Sequence, residues 1–109
     1  MATAYKVLGQ SKPTAATATT LYTVPASTQT VVSTLVITNL TIDMSSIRVS
    51  VRPAGAAQED KHYIIYDQNF GGYQTVAFTL GITLATTDVV TVYDSAGKCS
   101  FNLFGSEIS

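Results

Sequence analysis

In SSIRVSVRP, residues 45–53, polar and apolar side chains alternate from Ser46 to Arg52. Ile47, Val49 and Val51 fall on one face and Arg48, Ser50 and Arg52 on the other, the period of two that a half-buried strand requires. Pro53 closes the run, because it has no N–H to carry a ladder further. Elsewhere the chain behaves in the same way. Apolar residues nowhere recur at three and four, and Val, Ile, Thr and Tyr dominate the periodic stretches. This pattern confines the chain to all-β architectures.

Reading the alternation along the rest of the chain predicts which side chains meet the core. In the strand following Gln29 it sets Val31, Leu35 and Ile37 inward and Thr30, Thr34 and Thr38 outward, with Ser33 a soft spot in the apolar face. The outward side chains of LYTVPASTQTVVSTLVITN, residues 21–39, are then Thr, Gln and Asn. In YQTVAFTL, Val76, Phe78 and Leu80 point one way and Thr75, Ala77 and Thr79 the other. HYIIYDQ is apolar on both faces, which suits a central strand or a surface that meets another subunit.

Turn chemistry separates these runs at short intervals in VPAST, RPAGAAQEDK, NFGGY, LATTD and DSAGK. Pro25 with Ala26 sets a tight turn between two strands. VVTVYDSAGKCSFNLFG gives the clearest hairpin signal, since Asp94 starts a turn and Gly97 can take the positive φ that closes a four-residue loop. About eight strands follow, near 5–10, 19–24, 30–39, 47–52, 61–68, 73–80, 88–94 and 99–106. Two packed antiparallel sheets, a jelly-roll-like β-sandwich, accommodate them most simply. QSKPTAATATT has small residues and no periodicity and reads as an extended arm or loop, so residues 1–18 are expected to form an N-terminal arm on one domain spanning 1–109.

A chain of 109 residues has room for one modest core. Charged residues make up only 12%, about half the usual share, and the net charge is −1 with no run of lysine or arginine. The electrostatic footprint of a nucleic-acid binder is therefore missing. Few ions have to surrender their hydration on contact, which favours packing against other protein. One cysteine, Cys99, precludes an internal disulfide, and no Cys/His cluster offers the ligands of a structural zinc. The N-terminus has no basic stretch leading an apolar one, and no apolar run approaches about 18 residues, so neither an export signal nor a membrane span is expected.

Catalytic chemistry finds little support. Nucleophilic catalysis needs a nucleophile, a base and a group that orients the base, and His62 is the single histidine. Beside Glu59 and Asp60 it could be a general base, but an exposed polar residue at a sheet rim is the expected role. Cys99 heads an alternating strand with Phe101 and Leu103 and is expected to be buried as a small hydrophobe. Glu59 and Asp60 are adjacent rather than opposed, and the other carboxylates are scattered. No calcium-loop pattern and no glycine-rich phosphate loop occurs, so no metal and no cofactor is expected. NLT at Asn39 matches the N-glycosylation pattern but carries no weight outside a secretory route. Tyr63, Tyr66, Phe70 and Tyr73 form the one aromatic concentration, better suited to core and subunit contact than to a sugar or single-strand platform, given no Trp and no interleaved basic residues. Arg48 and Arg52 lie outward, four residues apart, on a solvated face or against a neighbour's acids. Arg48, Arg52, Tyr63, Tyr66 and Tyr73 are thus the candidate protein–protein contact residues.

With these residues laid out, LYTVPASTQTVVSTLVITN, IRVSVRPAG, KHYIIYD, TLGITLATTDVVTVY and the closing SFNLFGSEI together resemble a group of small β-sandwich virion structural proteins of tailed phages, especially cyanophages. The resemblance covers nearly the whole chain and lies in strand-and-turn phrasing. It implies a subunit that decorates or cements the outer capsid surface and stabilises the head, with no catalytic residue to carry over. The partners it implies are the chain itself, as a homotrimer, and the major capsid protein or other virion proteins, without nucleic acid or membrane. The location it implies is the virion, assembled in the host cytoplasm. The alternative is a component of the tail, neck, baseplate or fibre that binds a host glycan, and an aromatic cleft with convergent polar groups around Tyr63 to Tyr73 would favour it.

Overall fold

Eight strands follow one another in the computed structural model, which describes residues 2–109: β1 (Thr3–Ser11), β2 (Thr19–Thr23), β3 (Gln29–Asn39), β4 (Ser45–Arg52), β5 (Tyr63–Phe70), β6 (Thr75–Leu84), β7 (Val89–Asp94) and β8 (Cys99–Ile108). Met1, the first residue of the expected arm, lies outside the described residues. Two short 3₁₀ turns, Pro53–Gly55 and Asp60–His62, lie in the connection from β4 to β5.

The first sheet has the order β1-β8-β3-β6 and the second β2-β7-β4-β5, with every neighbouring pair antiparallel. This is the strand order of a jelly roll, in which each connection crosses to the other sheet except the one between β4 and β5. The inward sets of both sheets interdigitate in a single core. Leu35, Ile37, Phe101 and Leu103 come from the first sheet and Ile47, Val49, Phe70 and Val92 from the second, all with essentially no solvent exposure. Each contributes about 1.5–3 kcal/mol of transfer free energy, so β3, β4, β7 and β8 carry most of the fold's stability.

Two local readings are corrected by this topology. β7 and β8 do not form a hairpin: β7 pairs with β2 and β4, whereas β8 pairs with β1 and β3. The turn chemistry itself is present, with Gly97 at φ 66, but the turn hands the chain from one sheet to the other. The VPAST turn joins β2 and β3 as the sequence predicts, with Ser27 at φ 55, and it too passes the chain from one sheet to the other. Tyr63–Phe70 is an edge strand rather than a central one, hydrogen-bonded to β4 alone.

The face assignment of β3 is corrected at its soft spot. Both ladders of β3 shift register between Val32 and Thr34: against β8 Ser33 is the extra, bulged residue, while against β6 the extra residue lies on β6, where Leu80 and Gly81 (φ 59) stand opposite Ser33. Beyond the bulge Leu35 and Ile37 point inward as the alternation predicts, while before it the faces exchange: Val32 and Thr30 are buried and Val31 is exposed. Thr30, expected outward, instead shares a buried hydrogen bond with the Tyr22 hydroxyl. Asn39, also expected outward, is fully buried.

Residues 2–18 are not a free arm. Residues 3–11 form β1, which pairs with β8 along its length, and Ala2 exchanges two backbone hydrogen bonds with Ser109. β1 reaches the core through Leu8 and approaches β2 closely at Gly9, where a Cβ would stand 2.2 Å from the Leu21 carbonyl oxygen. Only 12–18 is a connection, tied down by the Ala16 N–H to the Asp94 carbonyl and by Lys12 Nζ to the Gly97 carbonyl.

Candidate functional site

The proposed contact residues fall into separate places. On the outer face of the second sheet, Arg48 of β4 stands directly opposite Tyr93 of β7, and its guanidinium carbon lies 4.6 Å from the Tyr93 ring centre and 4.4 Å from that of Tyr66. Asp67 closes the group by accepting from Arg48 Nε at 2.6 Å and Nη2 at 3.3 Å. This fork-to-fork pair holds the guanidinium flat between the two rings. The geometry depends on an irregularity of β5, whose register against β4 shifts between Ile47 and Val49, with Asp67 in the left-handed region at φ 49. That bulge turns Tyr66 and Asp67 toward Arg48. Arg48 therefore pairs with an acid of its own chain.

Beside this stack Tyr63 meets Tyr66 edge to face, with ring centres 4.8 Å apart. With Asp60 the two rings line a shallow cleft of about 390 Å³. Arg52 lies apart from it. Its Nε donates to Thr91 and its Nη1 to the Gly55 and Ala56 carbonyls, so it pins the β4–β5 connection down over the second sheet. Gln58 of that connection accepts from Ser50, and this cover explains why Ser50 is buried although it is on the outer face. His62, expected exposed, is buried by the same connection, and its Nδ1 accepts the Glu59 N–H. A histidine so committed is a peg for the loop.

Tyr73 belongs elsewhere, and it has company that strand periodicity could not reveal. The 71–74 turn lies against the 40–44 loop, with the Tyr73 N–H donating to the Thr41 carbonyl. There Leu40 (47% exposed), Ile42 (76%), Met44 (66%) and Tyr73 (69%) form an apolar tip at one end of the sandwich. Water-exposed large apolar side chains gathered on adjoining loops mark a contact surface rather than a core. The tip is rigidly mounted. Asn39 Nδ2 donates to the carbonyls of Asp43 (2.7 Å), Phe70 (3.3 Å) and Gly71 (3.1 Å), while Oδ1 accepts the Thr41 N–H and hydroxyl. One buried amide thus fixes two loops to each other. The same burial leaves no room for a sugar on Asn39, despite its NLT motif.

A second mount lies alongside. Asp94, fully buried at the end of β7, accepts from the Ser45 hydroxyl and from the N–H groups of Ala96 (3.1 Å), Lys98 (2.7 Å) and Cys99 (2.6 Å). Burial alone would raise its pKa, but the hydrogen bonds outweigh it and hold the carboxyl below its ordinary value. Cys99 is buried as expected, and burial together with the neighbouring Asp94 charge pushes its thiol up to about 12. It has no thiolate with which to act as a nucleophile at neutral pH.

The two sheets differ outwardly. The second is covered by 53–62 and bears the Arg48 stack, while the first is bare: β3 and β6 contain no charged residue and β8 only Glu107. Glu107 accepts from the Tyr22 hydroxyl of β2 and from Lys6 at 3.1 Å, which places it on the inner side. Burial and the Glu107 contact push the Tyr22 hydroxyl up to about 12. Tyr5, Val7 and Val31 are exposed on the bare side. Among the described residues no group of three His, Cys, Asp or Glu side chains is placed to hold a metal ion.

The chain matches no protein-family model, and a search of curated proteins finds no similar sequence.

Proposed function

We propose that this chain is a virion structural subunit of a tailed phage, a capsid decoration or cement protein that seats on other virion proteins and performs no chemistry of its own. The observation that carries this reading is the apolar tip of Leu40, Ile42, Met44 and Tyr73 held on the buried Asn39 mount. A patch of this kind on a stiff support suits docking, since little conformational entropy remains to be lost on contact. Two strands of the first sheet, β3 and β6, carry no charge and add a surface that sheds its water at low cost. The strand-and-turn resemblance to small cyanophage virion proteins points the same way.

Ile42→Asp tests it, because Ile42 is largely solvent-exposed and its replacement leaves the core intact. Mixed with particles stripped of the protein, the variant is expected to bind about 5- to 30-fold more weakly than the wild type in a cosedimentation assay, the usual effect of losing an interface hot spot. Unchanged binding would refute the docking role of the tip.

The Asp60, Tyr63 and Tyr66 cleft supports a second reading, a tail or fibre module that stacks a host sugar on tyrosine. Under that reading Tyr63→Ala abolishes retention on immobilised host-surface glycans, and Ile42→Asp does not.

A further inference from the structure

We propose that the outer face of the first sheet is a contact face for a second copy of this chain, the two copies stacking face to face about a two-fold axis that lies in the contact plane. Register assigns each residue of the sheet to a side. Tyr5, Ser106 and Val31 stand in one row and Val7, Phe104 and Thr34 in the next, and β6 extends the two rows with Thr83 and Thr79. Both rows face away from the core, because the row between them holds the buried Val32 and the core-packed Ile82. Gln10 continues the same side, donating to Asn102 at 2.8 Å.

No outward position of the four strands holds a lysine, arginine, aspartate or glutamate, although the chain has 6 basic and 7 acidic residues. The two charged residues of the sheet, Lys6 and Glu107, belong to inward rows and pair with each other at 3.1 Å. This decides which partner fits. A charge on the partner would lose its water opposite a face that offers no counter-charge. In a two-fold stack each face meets its own composition, so a face free of charge brings no like charges together and strands none. The outer face of the second sheet fails that test. It carries Arg48, Arg52 and Asp67 and is crossed by the 53–62 connection.

The face is also large enough. Its four strands have 9 to 11 residues each. At about 3.3 Å per residue and about 4.8 Å between strands they span about 19 by 30 Å, so a stack covers about 1,100 Å² over both copies, above the roughly 1,000 Å² that a specific interface needs. Most of the outward side chains are Thr, Ser and Val, short groups that lose little freedom when covered. Tyr5 projects from among them, 86% exposed, beside a hollow of about 440 Å³ bordered by Val7, Val31, Ser33 and Phe104. Projection and recess thus lie on one patch, as a contact between identical surfaces requires. Resting on the docking reading above, the stack leaves both apolar tips uncovered, so one pair offers the shell two tips, with two-fold symmetry in place of the three-fold expected from the resemblance.

Val31 and Ser33 are both exposed on this face, and a lysine at either position tests the stack. By sedimentation, the wild type is expected at about twice 11.5 kDa, and Val31→Lys and Ser33→Lys each at about 11.5 kDa, because each brings two lysines against uncharged surface. Circular dichroism shows which variant is folded, and if Val31→Lys is not, Ser33→Lys decides. Ile42→Asp, at the tip, stays dimeric. Raising the salt from about 0.05 M to about 1 M leaves the dimer intact, since no ion pair holds it. A wild type that stays monomeric at millimolar concentration, a trimer, a folded lysine variant that still dimerises, or a dimer that salt dissociates would overturn the proposal. A dimer that binds no particle refutes the virion reading and leaves the stack standing, and a monomer that decorates particles does the reverse.

Discussion

Replacing Asp94 with alanine is expected to destabilise the fold by about 3–5 kcal/mol, the cost of leaving buried donors without a partner. Three backbone N–H groups and the Ser45 hydroxyl converge on this one carboxylate. The loss is spread over both sheets, because Ser45 begins β4 and Cys99 begins β8. For a domain of this size the melting temperature should fall by about 15–30 °C, which calorimetry would measure. Asp94→Asn should recover only part of this, since its NH₂ group turns a donor toward donors. The pH dependence follows from the sign of the shift. A carboxyl held below its ordinary value stabilises the fold fully above that value, about 3.9, and the contribution fades as pH falls through the folded pKa. The gap in stability between wild type and Asp94→Asn should therefore be widest near neutrality and close below about pH 4. A gap that is constant across this range would show that the carboxylate charge is not what holds the turn.

Asn39→Asp is expected to be nearly as severe, at about 3–4 kcal/mol, for the opposite reason. Nδ2 now shares its two protons among three carbonyl oxygens, and a carboxylate oxygen in the same place would face those carbonyls with a buried negative charge. Its pKa should rise, so the variant should regain stability as pH falls. The consequence reaches the surface: with the 40–44 and 71–74 loops released from each other, the apolar tip loses its shape. Hydrogen exchange should quicken at the Thr41 and Gly71 amides ahead of the rest of the domain. Particle binding should weaken even at temperatures where the variant remains folded. Slow exchange at both amides in the folded variant would mean that the amide of Asn39 does not mount the tip.

Much of the architecture was legible before any coordinates. Alternation in SSIRVSVRP and YQTVAFTL placed Ile47, Val49, Val76, Phe78 and Leu80 on the face they occupy, and all eight strands begin within a few residues of the expected positions. The candidate surface was less legible. Tyr63, Tyr66, Arg48 and Arg52 do lie on one sheet, yet Arg48 turned out to be clasped by Tyr66, Tyr93 and Asp67, and Tyr73 belongs to a different end. Leu40, Ile42 and Met44 escaped notice because they sit in a loop, where no period distinguishes an exposed apolar side chain from a buried one. Their signal was only that three large apolar residues occur within NLTIDMSS, where a loop would be polar.

What the sequence determined by itself was local: strand type, strand ends, turn residues and, where the pleat is unbroken, the inward face. A period of two and a residue able to take positive φ are properties of a few neighbouring residues, and they act before any partner is chosen. Tertiary structure decided the rest. Whether the turn at Asp94 to Gly97 folds β8 back onto β7 or hands it to the opposite sheet depends on which ladder buries more of Phe101 and Leu103, a competition among strands far apart in sequence. The bulge at Ser33 was settled in the same way. Both neighbours of β3 shift register there, so Thr30 and Val32 enter the core while Val31 is turned out to solvent, because the faces of three strands have to agree at once.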